Sequence, residues 1–385
     1  MNSYLPHYLK FKNTMLLFNL IRSRKTISRG ELVRLTGMSF PTVLKIIDQL
    51  LALGIIIELD EIESNRGAGR RGHLLQFYPQ AFYAIGLEFE GNMLNAGLVD
   101  LDGTSQYCRS VCISDSHNIE NIEQAMITEI TNLLATTKNE RKRVIGIGIS
   151  LPAVVDTAQN TIVHMDIHGI TKPILFSNAF PKLSASFTLP ILVGNDVNLA
   201  CKGEAFLRKR SDGYDNLFFV TLSTGLGAGI MINGNIWEGS NHNAGEVGHM
   251  FLCDPRGLNS DSTSIEKLIN IEALSKKFGI NFYSPQTLSS TQVETVCDYL
   301  CPYLSVLLVN QVHLLDINRI VLSGTITNAL GYTLFEKLQA MINEKLRYIP
   351  ATVEPSLSRD VGIIGATVHV FDNVLPNIFQ EKGES

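Results

Sequence analysis

The chain has 385 residues, room for two or three domains at roughly 100–200 residues each. With 45% apolar and 18% charged residues it can bury large cores, which excludes wholesale disorder, while Gly 30 and Pro 13 exclude collagen-like and mucin-like chains. The net charge of −5 is unevenly divided: residues 1–80 hold eleven Lys/Arg against six Asp/Glu, a balance of +5, so the remainder carries −10 and only the head suits a polyanion.

The N-terminal MNSYLPHYLKFKN has polar and basic residues where a secretory signal has its apolar core. No apolar run reaches the ~18–20 residues of a membrane span, so a cytoplasmic protein without a membrane partner is expected. Met15, Leu16, Phe18, Leu20 and Ile21 recur at helical spacing behind Asn13 or Thr14 as cap. Ser28 caps a second helix, with Glu31 completing a capping box, and Gly37 stops it. Ser39 caps a third, with Pro41 in its first turn and an apolar face from Val43 to Leu53, ending at Gly54. Two helices joined by a short Gly-containing turn form a helix-turn-helix. Ser39, Phe40, Thr42 and Lys45 would face bases or phosphates. Strands over 55–59 and 73–77 flank a Gly/Arg loop carrying Arg66, Arg70 and Arg71, a wing able to reach a minor groove.

From Phe82 the pattern changes. Strands are expected over 83–89, 93–99 and 107–113, a helix over 119–136 and a buried strand over 144–150. Strands over 216–222, 228–232 and 320–324 follow, around the loop Ser223-Thr224-Gly225-Leu226-Gly227, with further helices. The alternation means an α/β body, in two similar halves around a cleft. Asn195 and Asp196 close the strand Ile191-Leu192-Val193, where α/β ligand sites form. The six cysteines (Cys108, Cys112, Cys201, Cys253, Cys297, Cys301) contain no C-x-x-C pair and read as buried, reduced thiols, Cys297 and Cys301 one helical turn apart.

The whole chain resembles the ROK family of repressors and sugar kinases. The resemblance rests on Gly69-Arg70-Arg71, Ser150-Leu151-Pro152-Ala153-Val154-Val155-Asp156 with Ile162-Val163-His164, Asn195-Asp196-x-Asn198, Ser223 to Gly229, Gly245-Glu246-Val247-Gly248-His249 and Gly362-Ile363-Ile364-Gly365-Ala366. It implies a winged helix-turn-helix over 1–80 and a two-lobed, actin-like (ribonuclease H-like) sugar-kinase fold over 81–385. One lobe would span about 81–195 with the C-terminal helix, the other 196–360. It also implies sugar contacts at Asn195, Asp196, Glu246, His249 and Glu266. Asp196 would be the base in a kinase.

Two departures matter. Family kinases place Asp-x-Gly-Gly-Thr where this chain has Glu88-Phe89-Glu90-Gly91-Asn92, and the Glu90 carboxylate would repel nucleotide phosphates; Leu322-Ser323-Gly324-Thr325 is thinned to one glycine. The family zinc cluster, C-x-C-G-x-x-G-C after Gly-His, is reduced to Cys253. The implied protein is therefore a sugar-responsive repressor with no zinc, no ATP cofactor and no catalysis, acting on double-stranded operator DNA as a homodimer or tetramer. The alternatives are a sugar kinase with an accessory DNA head, and a repressor controlled by a protein partner. The apolar helices Val293 to Leu315 and Leu334 to Leu346 are candidates for a dimer interface or for core.

Overall fold

The computed structural model describes residues 4–59, 74–139, 143–208, 214–251, 264–284, 288–346 and 348–381; Arg66, Arg70, Arg71 and Cys253 lie outside them. In the head, Ser28 caps the helix Arg29–Thr36: its hydroxyl accepts from the Glu31 amide, and Glu31 accepts in return from the Ser28 amide, both at 3.2 Å. Ser39 caps the helix Phe40–Leu53 by accepting from the Thr42 amide at 3.4 Å. Left-handed Gly37 and Gly54 end the two helices, a conformation that costs a residue without Cβ little.

The first helix begins earlier than expected and spans Tyr4–Arg24. Thr14 is not a cap but a buried interior residue whose hydroxyl bonds the Lys10 carbonyl at 3.0 Å. Nothing ahead of it stops a helix, because Pro6 falls in the first turn, where a missing N–H is tolerated. The predicted hairpin gains a third strand, Thr26–Ser28, giving the antiparallel order Thr26–Ser28, Leu74–Phe77, Ile56–Leu59. Three residues are too few to leave a periodicity signal.

The body holds two five-stranded sheets. The first runs Ile191–Asn195, Val144–Leu151, Tyr83–Glu90, Met93–Asp100, Ser105–Cys112, parallel in its first three strands and antiparallel in the rest. The second runs Asn235–Ile236, Leu226–Ile232, Leu217–Leu222, Arg319–Ser323, Thr352–Pro355, with the same mixture of directions. Each has its own apolar core.

The last helix, Val361–Glu381, packs on the helix Asp196–Arg208 and across the first sheet. Glycines make the contact close. A Cβ on Gly148 would fall 2.1 Å from the Ala366 carbonyl oxygen, and one on Gly365 1.7 Å from that of Leu199. By length and composition this helix could span a membrane, yet 67% of its apolar window is buried inside the protein. Its apolarity therefore serves packing.

Its far end carries the head. Phe371, Leu375 and Phe379 join Leu17, Phe18, Ile21, Ile46, Ile47 and Leu50 in one core, with the Phe18 and Phe379 rings 5.6 Å apart. Gln49 donates to the Phe379 carbonyl, Arg143 donates to the Leu53 carbonyl at 2.9 Å, and Lys25 pairs with Asp102.

One expectation is revised, and one left open between two readings is narrowed. Cys108 and Cys112 are exposed, because Ser105–Cys112 is an edge strand; Cys201, Cys297 and Cys301 are buried. The helices Ser290–Leu315 and Tyr332–Lys345 pack against each other and bury Leu300, Leu304, Leu308, Leu334 and Leu338 in the second core. Their inward faces are core. Val306, Leu314 and Tyr332 stay exposed on the outer side.

Candidate functional site

On the head, Ser39, Phe40 and Lys45 are exposed and Thr42 half-buried at the start of Phe40–Leu53. The Ser39 and Thr42 hydroxyls lie 2.8 Å apart. Thr42 and Lys45 border a cavity of about 260 Å³ shared with Leu9, Lys10 and Asn13 of the first helix. Phe40 is a large aromatic at 52% exposure beside them.

In the body, the strand Ile191–Asn195 delivers Asn195 and Asp196 to the start of the helix Asp196–Arg208. The Asn195 amide is a brace: its oxygen accepts from the Asn198 amide at 2.9 Å, and its nitrogen donates to the Ala153 carbonyl at 3.1 Å. Asp196 Oδ1 accepts from the Val197 amide at 2.9 Å. Burial pushes the Asp196 carboxyl up to about 7; that amide opposes the shift and the Glu246 charge adds to it.

Glu246 precedes the single turn Val247–His249. Burial raises its pKa, His249 and His164 counter, and Glu266 and Asp166 add to the rise. His249 Nε2 lies 3.9 Å from Glu246 Oε2 and is 77% exposed. Glu266 opens the short helix Glu266–Ile269, where its Oε2 accepts from the Leu226 amide at 2.9 Å. A Cβ on Gly225 or Gly248 would fall 3.1 or 2.8 Å from that oxygen, so both glycines clear its seat. The Ile265 amide donates to the Met250 carbonyl at 3.1 Å, and Ile265 and Ile269 are buried. Backbone bonds and apolar anchors thus orient the segment carrying Glu266, a function that sequence reasoning left unassigned.

The structure gives places in the cleft to groups that the sequence reading quoted only within motifs, or not at all. Glu88 sits over Gly362 at the start of the last helix. Burial, reinforced by Glu90, Asp196 and Asp360, pushes the Glu88 carboxyl up to about 8. Ser150, its partner on the neighbouring strand, is fully buried, and among the described residues its hydroxyl has no hydrogen-bond partner. His164 Nε2 bonds Asp166 Oδ1 at 2.6 Å beside Glu246. Thr157 donates to Glu238 Oε1 at 2.7 Å, and His242 bonds Glu238 Oε2 at 2.9 Å and approaches Asp156 at 3.8 Å. Spacing could not reveal the Thr157–Glu238 and His242–Asp156 contacts, because their partners come from separate loops, whereas His164–Asp166 and His242–Glu238 are local pairs. Asp196, Glu246 and Glu266 come together electrostatically; Asn195 ties the start of the helix Asp196–Arg208 to the Ala153 carbonyl, and the exposed His249 lies beside Glu246.

Chemically, the cleft offers carboxyls, of which Glu88 and Asp196 titrate near neutral pH, and neutral amides. Such groups donate to and accept from hydroxyls, whose burial is costly unless paired.

Comparisons with known proteins bear on both regions. The sequence model described as the ROK family matches residues 84–372. The xylose repressor of Bacillus subtilis (strain 168) is 27% identical over 248 residues, 64% of this chain and 62% of that repressor, so the match spans less than two thirds of its length. The DNA-binding transcriptional dual regulator NagC of Escherichia coli (strain K12) is 24% identical over 362 residues, 87% of this chain and 85% of that protein. Among solved structures, a ROK family transcriptional regulator, a homolog of the E. coli MLC protein, superposes with a TM-score of 0.77 at 20% identity, covering 98% of this chain and 99% of that one. A ROK family glucokinase from Streptomyces griseus, in complex with glucose and AMPPNP, gives 0.62 at 20% identity over 74% of this chain and 98% of its own. The two structural likenesses establish the fold, including the head in the first case.

Proposed function

The chain belongs to the ROK family, and from that premise we propose that it is a sugar-responsive transcriptional repressor, with operator DNA on the helix-turn-helix and a sugar or sugar derivative in the cleft. The observation that carries this reading is a physical connection. The helix Val361–Glu381 starts beside the cleft carboxylate Glu88 and ends in the core of the head.

Ser39, Phe40, Thr42 and Lys45 would meet the major groove, joined by Arg66, Arg70 and Arg71 from the wing. Asn195, Asp196, Glu246, His249 and Glu266 would surround the sugar. A homodimer on a palindromic operator fits, because one recognition helix reads too few base pairs for specificity. A sugar that binds the closed cleft more tightly than the open one would shift the head between states, by no more than that difference in affinity. The chain would act in the cytoplasm, where its DNA is.

A second reading, a sugar kinase, draws on Asp196: a carboxylate with a pKa of about 7 is poised to act as a general base. Glu90 opposes it, by setting a carboxylate against the loop that would hold phosphate. ATP turnover with a sugar panel would establish the kinase; no turnover is expected.

The deciding experiment is operator binding by the full chain on its own upstream DNA, with and without monosaccharides, amino sugars and their phosphates. One sugar should change the affinity. Asp196→Ala should abolish that response while leaving sugar-free DNA binding intact. Loss of DNA binding as well would make Asp196 a structural residue.

A further inference from the structure

Glu90 ends the strand Tyr83–Glu90 at the tip of the first lobe's hairpin. Its Oε1 accepts from two hydroxyls of the other lobe: Ser223 at 3.0 Å and Thr325 at 2.6 Å. Those hydroxyls also lie 3.2 Å from each other. Ser223 stands in the turn between Leu217–Leu222 and Leu226–Ile232, and Thr325, one residue past the parallel neighbour Arg319–Ser323, opens the helix Thr325–Leu330. Two strand ends of one sheet thus aim their hydroxyls at a single oxygen across the cleft. The tip packs there as well, since a Cβ on Gly91 would lie 3.5 Å from the Thr224 methyl carbon.

Converging hydroxyl donors are a site for an anionic oxygen, and a phosphoryl oxygen would take the same bonds as a carboxylate. Here the chain supplies the oxygen itself. Beyond it toward the cleft floor lie Glu88 and Asp196, whose charges already oppose one another.

We propose that Glu90 is a resident plug for a phosphoryl seat, latching the two lobes through Ser223 and Thr325, so that the cleft selects unphosphorylated sugars and rejects phosphate esters. The choice of sugar as the ligand rests on the functional reading above; the latch and the filled anion seat do not.

The test uses the full chain as wild type, Glu90→Gly and Glu90→Gln. Glu90 is exposed at a hairpin tip, so both variants should fold, and thermal melting checks this. Gln keeps an acceptor oxygen for the two hydroxyls; Gly removes it. By hydrogen exchange, Glu90→Gly should lose protection together over residues 222–226 and 325–327, with Glu90→Gln close to wild type. Unchanged protection in Glu90→Gly overturns the latch. By calorimetry, inorganic pyrophosphate should bind Glu90→Gly at least tenfold more tightly than wild type. Equal affinity, or no binding to either, overturns the plug.

In the operator assay, glucose, xylose and N-acetylglucosamine are each paired with their terminal phosphates. A phosphate ester acting on the wild-type chain overturns the proposed selectivity. An operator that responds to no sugar would count against the repressor reading, while the exchange and pyrophosphate results would stand on their own.

Discussion

The head and the cleft handle charge in opposite ways. The head keeps the polar groups at the start of the helix Phe40–Leu53 in water: Lys45 and Ser39 are exposed, and beneath them lies an apolar core. Arg22, away from that face, is the exception: burial lowers its pKa, its guanidinium lies 4.9 Å from the Phe206 ring centroid, and Asp372 and Asp102 support its charge. The cleft does the reverse, gathering carboxylates until Glu88 and Asp196 hold their protons to about 8 and about 7. A surface for a polyanion needs charge that is already solvated and screened. A pocket for hydroxyls needs polar groups held partly out of water, where each hydrogen bond counts for more. One helix, Val361–Glu381, serves both environments.

The largest effect should come from breaking that shared helix. Gly365→Ala would place a Cβ 1.7 Å from the Leu199 backbone oxygen, where no side chain can give way. We expect a loss of about 3 kcal/mol or more, or failure to fold. Urea unfolding measures it, and the head and the cleft should fail together.

Phe379→Ala separates the two regions. Phe379 is 3% exposed and stacks edge-on against Phe18. Truncation should cost about 3–5 kcal/mol through the cavity left behind. Hydrogen exchange should accelerate across the head and leave the strands of the second lobe unchanged. Uniform acceleration would mean that head and body unfold as one unit.

Local rules made much of this legible. Ser28 with Glu31, Ser39, Gly37 and Gly54 each work within four residues, and all act as read. The placement of Asn195 and Asp196 at a strand end followed from one apolar run. What escaped was non-local. Thr26–Ser28 is a strand only because Leu74–Phe77 lies beside it. Cys108 and Cys112 are exposed only because their strand is last in its sheet. The repulsive character of Glu90 was readable, but its partners Ser223 and Thr325 lie more than a hundred residues away. Glu266 took its orientation from the Leu226 amide, at the start of a distant strand.

A smaller effect sharpens the electrostatic side of the comparison. An unfolded chain releases the Glu88 proton in the ordinary carboxylate range, whereas the folded chain holds it to about pH 8. Folding therefore retains a proton between those values. The contribution is fully present below the ordinary range and is lost as pH rises through about 8. Thermal melts from pH 5 to pH 9 should show wild type losing stability relative to Glu88→Gln, which keeps the shape and has no proton to release. Parallel curves would mean that the cleft carboxylates are as solvated as those of the head.

The smallest effect tests the head itself. Lys45 is exposed on the first turns of Phe40–Leu53, beside Thr42 and the cavity shared with the first helix. A solvated lysine against a phosphate contributes mainly by releasing counterions, so Lys45→Ala should leave folding unchanged. Operator affinity should fall uniformly across sequence variants, and the slope of log affinity against log salt should shallow by about one. Filter binding or fluorescence anisotropy at several salt concentrations gives both numbers. A changed sequence preference with an unchanged slope would place Lys45 on a base edge, so that the head too would hold a charge in a desolvated site. The contrast with the cleft would then narrow to the degree of burial.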